Sequence, residues 1–587
     1  MPNQVIPITN LSEFGLVEDT PNVSLPPNAF SDLNNVRLRD GAVRKMPGRG
    51  DITHAGRSFS TPIRYYIYWQ SPSGIQQIYV LSNMIHVYRE GANNPVASLA
   101  ISDRPTWQHT FFNGGFHVIL NNGVDTPVYI EDGSATINEL PGWASYLTQE
   151  VAMDFVYDGQ PGNLEVTDPR FVPNATLRIT VTPRNVGQPI VTDVLTINPL
   201  GTGFTPDGTT ANLGTATISG TTITFIPAAS IGGASIRISI VGSLATTVTA
   251  GVIRSYGNLL VAGNLVETNA DGETRMLTGV VRTSDVAAPG NIPMNWNPFA
   301  IGVSTADEFV LAATGIIQDM VELQGVLYIY TDTSIHAIQQ TQSPVVPFQI
   351  SPVTDSYGAD NVDAVIEVDG KHIVFGSDDV YMFSGHPGSI QSIAEGRVRQ
   401  YFRSATNIKI TRFNRWDELW FWSLTSPEIY IWNYRANIWY KRSVPTGFAG
   451  LSSTPNNLAF IEFDTDNTDA VYFLEDQSEN ITYIAGAYIE RKRLALTPEF
   501  DTEELASMAL LVDGGDTVTI NVQGTNAPGE LLPDGIMSNL KTFTIETEYK
   551  QDIRVHGRFL NYRLTHDFTS NMNLAGMQFD VKKGGTR

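Results

Sequence analysis

The sequence has 587 residues, of which 42% are hydrophobic and 10% aromatic, so it contains enough apolar material for roughly two to four folded domains. Its 37 Lys and Arg residues against 60 Asp and Glu residues give a formal net charge of −23. This charge argues against tight DNA binding, because proteins that hold phosphates need a cationic face. The sequence contains no cysteine, which excludes disulfides and thiolate metal sites.

We expect no signal peptide at the N-terminus. Residues 1–8 lack the basic stretch and the apolar core of a signal peptide. No apolar run approaches the ~20 residues that span a bilayer as a helix. We therefore expect the chain to be made and kept in the cytoplasm unless a larger particle carries it out.

Strand signals dominate residues 1–167. Short runs rich in Val, Ile and Tyr alternate with turns that contain Gly or Asn, which tolerate positive φ and favour hairpins. The predicted strands are residues 64–69, 77–81, 84–88, 116–120 and 127–130. We interpret residues 1–167 as an N-terminal docking segment followed by the first strands of a β-propeller.

Residues 168–250 differ from their surroundings because aromatic residues nearly vanish. Phe171, Phe204 and Phe225 are the only ones there, and Thr, Ile and Val alternate over six to eight residues. Such alternation predicts half-buried strands. Both length and pattern suit one immunoglobulin-like β-sandwich, which we interpret as an insertion into a larger β domain.

Residues 251–480 contain a loose repeat of hairpins. Units recur roughly every 40 to 55 residues, which is typical of propeller blades with four strands each. The repeated units include residues 256–263, 322–330, 367–376, 416–422 and 428–432. The uneven period leaves a plain multi-sheet β body as an alternative.

Residues 481–587 predict a C-terminal β domain. Its predicted strands are residues 481–484, 517–523, 542–546, 559–564 and 577–582. Residues 501–511 begin with a capping residue and early acids, so they fit either a short helix or a loop that enters a strand. The fold class is therefore all-β: a propeller-like body, an inserted sandwich and a C-terminal β segment.

Sequence motifs of known enzymes are missing. No nucleophile elbow is present, and the nearest pattern, residues 232–236, lacks its second Gly. No His-Glu-x-x-His, Rossmann or phosphate-loop pattern occurs. His336, His372 and His386 are the only histidines near one another, and we interpret them as hydrogen-bonded structural residues. We predict no catalytic residue and no cofactor.

One acidic cluster has the length of a calcium loop. It consists of Asp464, Asp466, Asp469 and Glu475. An EF-hand loop needs Gly where Asp469 stands and a helix afterwards, whereas the residues that follow are strand-like. We favour a solvated hairpin tip and keep calcium binding as the weaker alternative.

Carbohydrate cleavage and carbohydrate binding also stay open as functions. Glycoside hydrolysis needs two acids at a defined separation, and 60 acidic residues always supply some pair. Five Trp residues on alternating strands fit blade packing better than sugar stacking, because Trp buries a large area between sheets. They are Trp416, Trp420, Trp422, Trp432 and Trp439.

Two stretches, residues 25–48 and 281–296, combine turn residues, short basic strands and an aromatic anchor. The matched residues are Pro26, Pro27, Asn34, Asn35, Val36, Arg37, Asp40, Gly41, Arg44, Lys45, Pro47 and Gly48 in the first, and Val281, Arg282, Ser284, Asp285, Pro289 and Trp296 in the second. Further matches lie in residues 315–358 and 379–402. Together these patterns resemble the tail nozzle, or tail hub, proteins of short-tailed bacteriophages.

The resemblance implies a structural virion protein rather than an enzyme. Proteins of this family form a hexameric ring below the portal and adaptor, assembled in the host cytoplasm, and provide the channel for DNA retention and ejection. Tail fibres or spikes are the other implied partners. Genomic DNA would pass without specific binding, and the inserted sandwich at residues 168–250 would touch fibres, spikes or the host surface.

The basic N-terminal segment is the candidate for docking to the adaptor. The candidate docking residues are Arg37, Arg39, Arg44, Lys45 and Arg49. An ordinary surface hairpin is the alternative interpretation of this segment. Two other functions remain open for the whole chain: a propeller-type polysaccharide depolymerase and a receptor-binding tail adhesin.

Overall fold

The computed structural model describes most of the chain, with gaps concentrated in the insert and in several loops. The described residues are 4–48, 50, 57, 59, 61–143, 145–146, 153–156, 164–167, 176–182, 191–197, 202–205, 209–210, 214–220, 222–228, 235–241, 244–245, 247–268, 274–297, 305–311, 315–341, 348–455, 457–462, 470–474, 482–495, 502–527 and 539–583. No helix among these residues is long and apolar enough to cross a membrane.

The first strands of the chain are short and lie outside the propeller. A 3₁₀ turn at Asn22–Ser24 separates the second from the third. The strands are β1 (Gln4–Ile8), β2 (Gly15–Leu16), β3 (Ala29–Phe30), β4 (Asp32–Asn34), β5 (Val36–Arg39) and β6 (Ala42–Lys45).

The next eight strands form two antiparallel four-stranded sheets, each a simple meander. The five strands predicted between residues 64 and 130 are all present, because their alternation and their Gly and Asn turns already specify hairpins. The strands are β7 (Ile63–Ser71), β8 (Gly74–Leu81), β9 (Met84–Arg89), β10 (Ala97–Ala100), β11 (Gln108–Phe112), β12 (His117–Asn121), β13 (Val128–Glu131) and β14 (Ile137–Glu139).

The insert contains two sheets, ordered β16-β24-β18-β19-β20 and β17-β23-β22-β21, and a short β15-β25 pair. Its strands are β15 (Ser145–Tyr146), β16 (Met153–Val156), β17 (Leu164–Thr167), β18 (Thr176–Thr182), β19 (Val191–Ile197), β20 (Phe204–Thr205), β21 (Thr209–Thr210), β22 (Gly214–Ser219), β23 (Thr222–Pro227), β24 (Ser235–Val241) and β25 (Leu244–Ala245). Both sheets thus include a strand that precedes residue 168, because β16 pairs with β24 and β17 pairs with β23.

Three further meanders of four strands follow the insert. A 3₁₀ turn at Pro387–Ser389 lies in the last of them, and one helical turn, α1 (Arg399–Phe402), comes after it. The strands are β26 (Thr247–Tyr256), β27 (Leu259–Thr268), β28 (Thr274–Thr283), β29 (Asp307–Val310), β30 (Ile317–Leu323), β31 (Val326–Thr331), β32 (Ile335–Gln340), β33 (Phe348–Thr354), β34 (Val365–Val368), β35 (Lys371–Phe375), β36 (Val380–Phe383) and β37 (Gln391–Ser392).

The last two propeller sheets have four and three described strands, and a 3₁₀ turn at Asn414–Trp416 lies in the first of them. The strands are β38 (Lys409–Phe413), β39 (Glu418–Trp422), β40 (Glu428–Asn433), β41 (Ile438–Ser443), β42 (Phe448–Ser453), β43 (Leu458–Glu462) and β44 (Ala470–Phe473). First strands of successive sheets pack together from β11 through β26, β30, β34 and β38 to β42, which contacts β7 and closes the circle. The described residues therefore form a seven-bladed β-propeller.

The two chain ends form one terminal β-sandwich. Its C-terminal strands are β45 (Ala487–Ala495), β46 (Glu503–Gly514), β47 (Thr517–Thr525), β48 (Asn539–Thr544), β49 (Lys550–Gly557), β50 (Phe559–His566) and β51 (Met572–Lys583). One sheet has the order β49-β46-β51-β6-β5 with β1 also on β51, and the other has the order β4-β45-β50-β47-β48. Strands from residues 4–45 thus complete both sheets of the C-terminal domain.

Two local expectations for the C-terminal region are corrected. The described part of residues 501–511 belongs to the strand β46, because β49 and β51 pair with it on both sides and this pairing overrides the local helix pattern. The strand expected at residues 481–484 is reduced, within its described part, to one isolated bridge between Tyr483 and Pro47.

One continuous apolar core joins the terminal sandwich to blades four, five, six and seven. Trp420, Trp422, Trp432 and Trp439 are buried in this core, which confirms that they pack the blades. Trp416 is half-buried and packs against the same core from its edge. The sandwich and these blades therefore share one hydrophobic interior.

Candidate functional site

Polar side chains from different blades lie together at the axis of the propeller. The first strands contribute Gln108 from β11, Arg254 from β26, Asp319 from β30 and Lys409 from β38, and Asp363 lies just before β34. We call these five residues the axial cluster. The first strand of each blade lines the centre of a propeller. Residues from different blades, which are distant in the sequence, therefore lie close together there.

Ion pairs connect the axial cluster across the axis. Arg254 Nη2 lies 2.8 Å from Asp319 Oδ1 and 3.1 Å from Asp363 Oδ1, and Lys409 Nζ lies 3.0 Å from Asp363 Oδ2. Arg254 also donates to Gln108 Oε1 over 3.0 Å. Two cations thus face two carboxylates, and the cluster is balanced in charge.

Backbone groups complete the hydrogen bonding of Asp319. The amides of Met320 and Asp363 donate to its two carboxylate oxygens at 2.8 and 2.9 Å. Burial raises the pKa of Asp319 to about 6 although Arg254 opposes the shift. Burial also acts to raise the pKa of Asp363, but Lys409 and Arg254 outweigh it and hold this pKa below its usual range.

A neutral pair lies beside the axial cluster. Tyr65 Oη and His109 Nδ1 are 2.8 Å apart. Burial lowers the pKa of His109 to about 4 and raises the pKa of Tyr65, so both groups are neutral near pH 7. The tautomer of the neutral His109 ring decides whether the phenol of Tyr65 or the Nδ1–H of His109 donates this hydrogen bond.

Two cavities lie on either side of the axial cluster. The first has a volume of about 440 Å³, and residues at or just before the starts of the first strands line it, such as Gln108, Gln318 and Asn361. The second has a volume of about 590 Å³ and is lined by residues towards the strand ends, such as Phe111 and Arg412. The ion pairs of the axial cluster lie between these two cavities.

The acids of the axial cluster are placed for packing rather than for acid–base chemistry. The carboxylate of Asp319 is completely buried, so it cannot contact a substrate. Both Asp319 and Asp363 already bind the same guanidinium, that of Arg254. A pair of acids for glycoside cleavage needs direct access to the sugar, and the axial cluster does not provide it.

The three histidines singled out in the sequence have separate surroundings. His372 is buried, with Nδ1 2.7 Å from Tyr330 Oη and Nε2 3.2 Å from the Glu322 carbonyl, and burial lowers its pKa to about 4. His336 Nε2 lies 3.0 Å from Ser334 Oγ, and His386 is exposed in a turn.

The structure does not describe the candidate calcium ligands. Asp464, Asp466, Asp469 and Glu475 all lie outside the described residues, so calcium binding there stays a prediction. Within the described part of the chain, no three His, Asp or Glu side chains are grouped so that they could hold a metal ion.

The candidate docking residues divide into buried and exposed ones. Arg37 is buried against Glu418, and Lys45 is buried against His566 and the Phe568 carbonyl. Burial lowers the pKa of Lys45 to about 8.

The other docking candidates are closer to solvent. The guanidinium of Arg39 lies 4.3 Å from the ring centre of Trp416, and Arg44 pairs with Asp40 at 3.1 Å. Arg49 lies outside the described residues. Docking to an adaptor remains a prediction, and Arg39 and Arg44 are the described basic residues of this segment with exposed side chains.

A separate group of ion pairs around Lys441 attaches the N-terminal segment to blade six. Lys441 Nζ lies 2.9 Å from Asp32, 3.1 Å from Glu428 and 3.5 Å from Glu18. Glu18 also accepts a hydrogen bond from Tyr430, whose ring stacks on Tyr401 with centroids 3.8 Å apart. These contacts hold residues 18–32 against the propeller.

Comparisons with known proteins give no family and several distant structural similarities. No protein-family model matches the sequence, and no curated protein matches it. Among solved structures, the β-propeller domain of Myceliophteria thermophila Cps50 (Swd1) is 9% identical, covers 74% of this chain and 100% of its own, and has a TM-score of 0.29. BamB from Moraxella catarrhalis is 9% identical over 72% of this chain and 99% of its own, with a TM-score of 0.33.

Saccharomyces cerevisiae Sqt1 is 10% identical over 73% of this chain and 99% of its own, with a TM-score of 0.32. At TM-scores of 0.29 to 0.33 the likeness carries no argument about this chain. The sheets and their order define the class of the molecule, which is a β-propeller protein with an inserted pair of sheets and a terminal β-sandwich.

Proposed function

We propose that this chain is a structural ring subunit, the nozzle or hub of a short bacteriophage tail. In this proposal, copies of the chain surround a channel through which the genome is retained and then ejected. The subunit catalyses no reaction, and its partners are further copies of itself, the portal–adaptor complex and tail fibres or spikes.

The observation that carries this proposal is the position of the two main resembling stretches. Residues 25–48 supply β4, β5 and β6 to the terminal sandwich, and Arg37 ties them to blade six. In residues 281–296, Arg282 forms buried ion pairs with Glu267 and Glu308, and Trp296 is fully buried. The first stretch joins the terminal sandwich to the propeller, and the second is fixed within blade three by Arg282 and against Trp143 by Trp296. Such anchoring suits a subunit that carries mechanical load.

The axial cluster favours a channel between subunits rather than through one. The ion pairs of Arg254 join blades three, four and five at the centre of the propeller, and we infer that they leave double-stranded DNA no path along its axis. In the proposed ring, the outer surfaces of neighbouring copies form the wall of the lumen. A net charge of −23 suits such a wall, because acidic side chains repel phosphates and let DNA slide without sticking.

Negative-stain imaging of the purified chain, alone and mixed with a portal–adaptor complex, tests the proposal. We expect rings with a central opening, at least in the mixture. Separate single chains in both samples would contradict it. A ring whose lumen is basic would keep the structural role but overturn the repulsion of DNA.

The two alternative functions have distinct outcomes in further assays. A depolymerase would release oligosaccharides from capsule or lipopolysaccharide, and we expect none. An adhesin would depend on the insert for adsorption. Because the insert lies between blades two and three and β15 pairs with β25 at its base, we expect deletion of residues 153–241, from β16 to β24, to leave particle assembly intact.

A further inference from the structure

The cavity at the start of the first strands has an unusual lining. Its volume is about 440 Å³, and none of its described lining residues is acidic. Six side-chain amides line it instead: Gln108, Asn121, Asn122, Gln318, Asn361 and Asn407. We call it the amide cavity.

Three of these amides are fixed parts of the wall. Gln108 donates to the Gly251 carbonyl over 2.6 Å, and Asn121 donates to the Ala250 carbonyl over 2.7 Å. Asn122 donates to Asp125 over 2.8 Å. The first two bonds hold blades two and three together, and all three give the cavity a preformed shape.

The other three amides have hydrogen-bonding capacity to spare. The side chains of Gln318 and Asn407 form no hydrogen bond to any described residue, and Asn407 is exposed. Asn361 donates to the Val362 carbonyl over 2.7 Å, while its buried Oδ1 has no partner within the described ranges. Each amide offers donors and an acceptor within one planar group.

Apolar surface and charge balance complete the lining. Trp107 and Trp422 use their indole N–H groups internally, on the Arg104 carbonyl and on Thr411 Oγ1, so their rings contribute only apolar surface to the cavity. Lys409 is the charged residue of the described lining, and its charge is balanced by Asp363 at 3.0 Å.

We propose that the amide cavity binds one neutral saccharide unit, a mono- or disaccharide portion of a glycan. Adjacent hydroxyls of a sugar both donate and accept hydrogen bonds, as side-chain amides do, and the apolar face of a pyranose packs on indole rings. The volume lies within the ~300–1,000 Å³ typical of small-molecule sites. A charged ligand does not fit this cavity. Its described cationic side chain, Lys409, is already paired with Asp363, and its described lining has no carboxylate.

The site binds a sugar without cleaving it. Glycoside cleavage requires two carboxyl groups beside the bond, and the described lining has none. This binding goes beyond the proposed ring role, because it depends only on a single propeller and not on assembly.

Saturation-transfer difference NMR on the full chain tests the site, with D-glucose, D-galactose, N-acetyl-D-glucosamine, lactose and maltose as the probes. We expect transfer to ring protons of at least one probe. Gln318→Leu and Asn407→Leu should weaken that binding about tenfold each, which is the effect of one lost hydrogen bond of ~1.4 kcal/mol. Asn414→Leu, an exposed amide at the opposite cavity, is the matched control and should bind like the unaltered chain.

Three outcomes would overturn the site. They are no transfer to any of the five probes, equal loss of binding in Asn414→Leu, and displacement of the sugar by sulfate. Thermal unfolding of each variant confirms that the fold is kept. Gln318 is partly exposed and Asn407 is exposed, so we expect both variants to fold. If one of them fails to fold, the other still measures the effect on sugar binding.

Discussion

Arg37 and Glu418 form a two-pronged ion pair in the interior although 381 residues separate them in the chain. Arg37 Nε lies 2.5 Å from Glu418 Oε1, and Nη2 lies 3.1 Å from Oε2. Glu418 also accepts hydrogen bonds from Trp420 at 2.8 Å and Tyr440 at 2.5 Å. This one carboxylate thus ties β5 of the terminal sandwich to blade six.

Replacement of Arg37 should destabilise the protein strongly. In Arg37→Met, the buried carboxylate of Glu418 loses its counter-charge, and we expect a loss of about 3–5 kcal/mol in the free energy of unfolding. Chemical denaturation followed by Trp fluorescence measures it. The control is Arg435→Met, because the pair between Arg435 and Asp369 is largely exposed and contributes only about 0–1 kcal/mol. Equal effects of the two replacements would contradict the account.

The axial cluster predicts a pH-dependent effect of Arg254→Leu. Loss of this guanidinium leaves Asp319 and Asp363 facing each other with one cation fewer, so near pH 7 we expect a loss of about 3–5 kcal/mol. Removal of Arg254 raises the pKa of Asp319 further, because Arg254 is the cation that lowers it. The loss should therefore shrink as the pH falls and the carboxyl becomes neutral.

Denaturation of this variant at pH 7 and pH 5 measures that change. Arg64→Leu, which breaks the more exposed pair with Asp103, serves as the control and should have a small effect at both pH values. If the loss in the free energy of unfolding of Arg254→Leu increases towards low pH, the described coupling between Arg254 and Asp319 is contradicted.

His372 predicts a loss of stability in acid. The pKa of His372 is about 4 in the folded protein against the ordinary 6.5, because burial disfavours the charged ring. Between these values the unfolded chain binds a proton that the folded chain does not, so stability is complete above about pH 6.5 and falls as the pH drops to about 4. The difference of about 2.5 pKa units corresponds to at most ~3 kcal/mol.

A His372→Gln variant should lose less stability than the unaltered chain over that pH range. Equilibrium denaturation at pH 7 and at about pH 4 gives the two differences. The exposed His556 supplies the control, and His556→Gln should follow the unaltered chain. Identical pH dependence in all three proteins would contradict the burial of a neutral His372.

Gly142 predicts a steric effect at the junction of blade two and residues 284–297. Its φ is 62°, and a Cβ atom there would overlap the carbonyl oxygen of Met294. Gly133 has a similar φ of 74°, but nothing would touch its Cβ. Gly133→Ala should therefore cost about 1 kcal/mol for the left-handed backbone alone, and Gly142→Ala should cost about 2–4 kcal/mol because overlap adds to it. Similar melting temperatures of the two variants would contradict this.

The local sequence pattern was enough to predict strands and hairpins of the blades. The strands β8 and β9 follow from alternation and hairpin turns, because both depend only on residues within about ten positions of each other. The pairing of β1 with β51 could not be predicted, because its partner lies at the other end of the chain. For the same reason the local pattern of residues 501–511 fits either a short helix or a loop that enters a strand, and only the neighbours β49 and β51 decide that β46 is a strand.

The axial cluster was also missed, although a signal for it existed. Arg254, Asp319 and Lys409 are charged residues inside or at the start of apolar first strands, at positions where a solvated face is not expected. By contrast, the buried state of Arg37 and Lys45 has no local signal, because their partners Glu418 and His566 are hundreds of residues away.

Native mass spectrometry of the purified chain, with and without a portal–adaptor complex, tests the central claim most directly. The account predicts a discrete closed assembly with several copies of the chain, six if the likeness to the nozzle family holds in full. A species that has the mass of one chain in both samples, with none bound to the portal–adaptor complex, would contradict it.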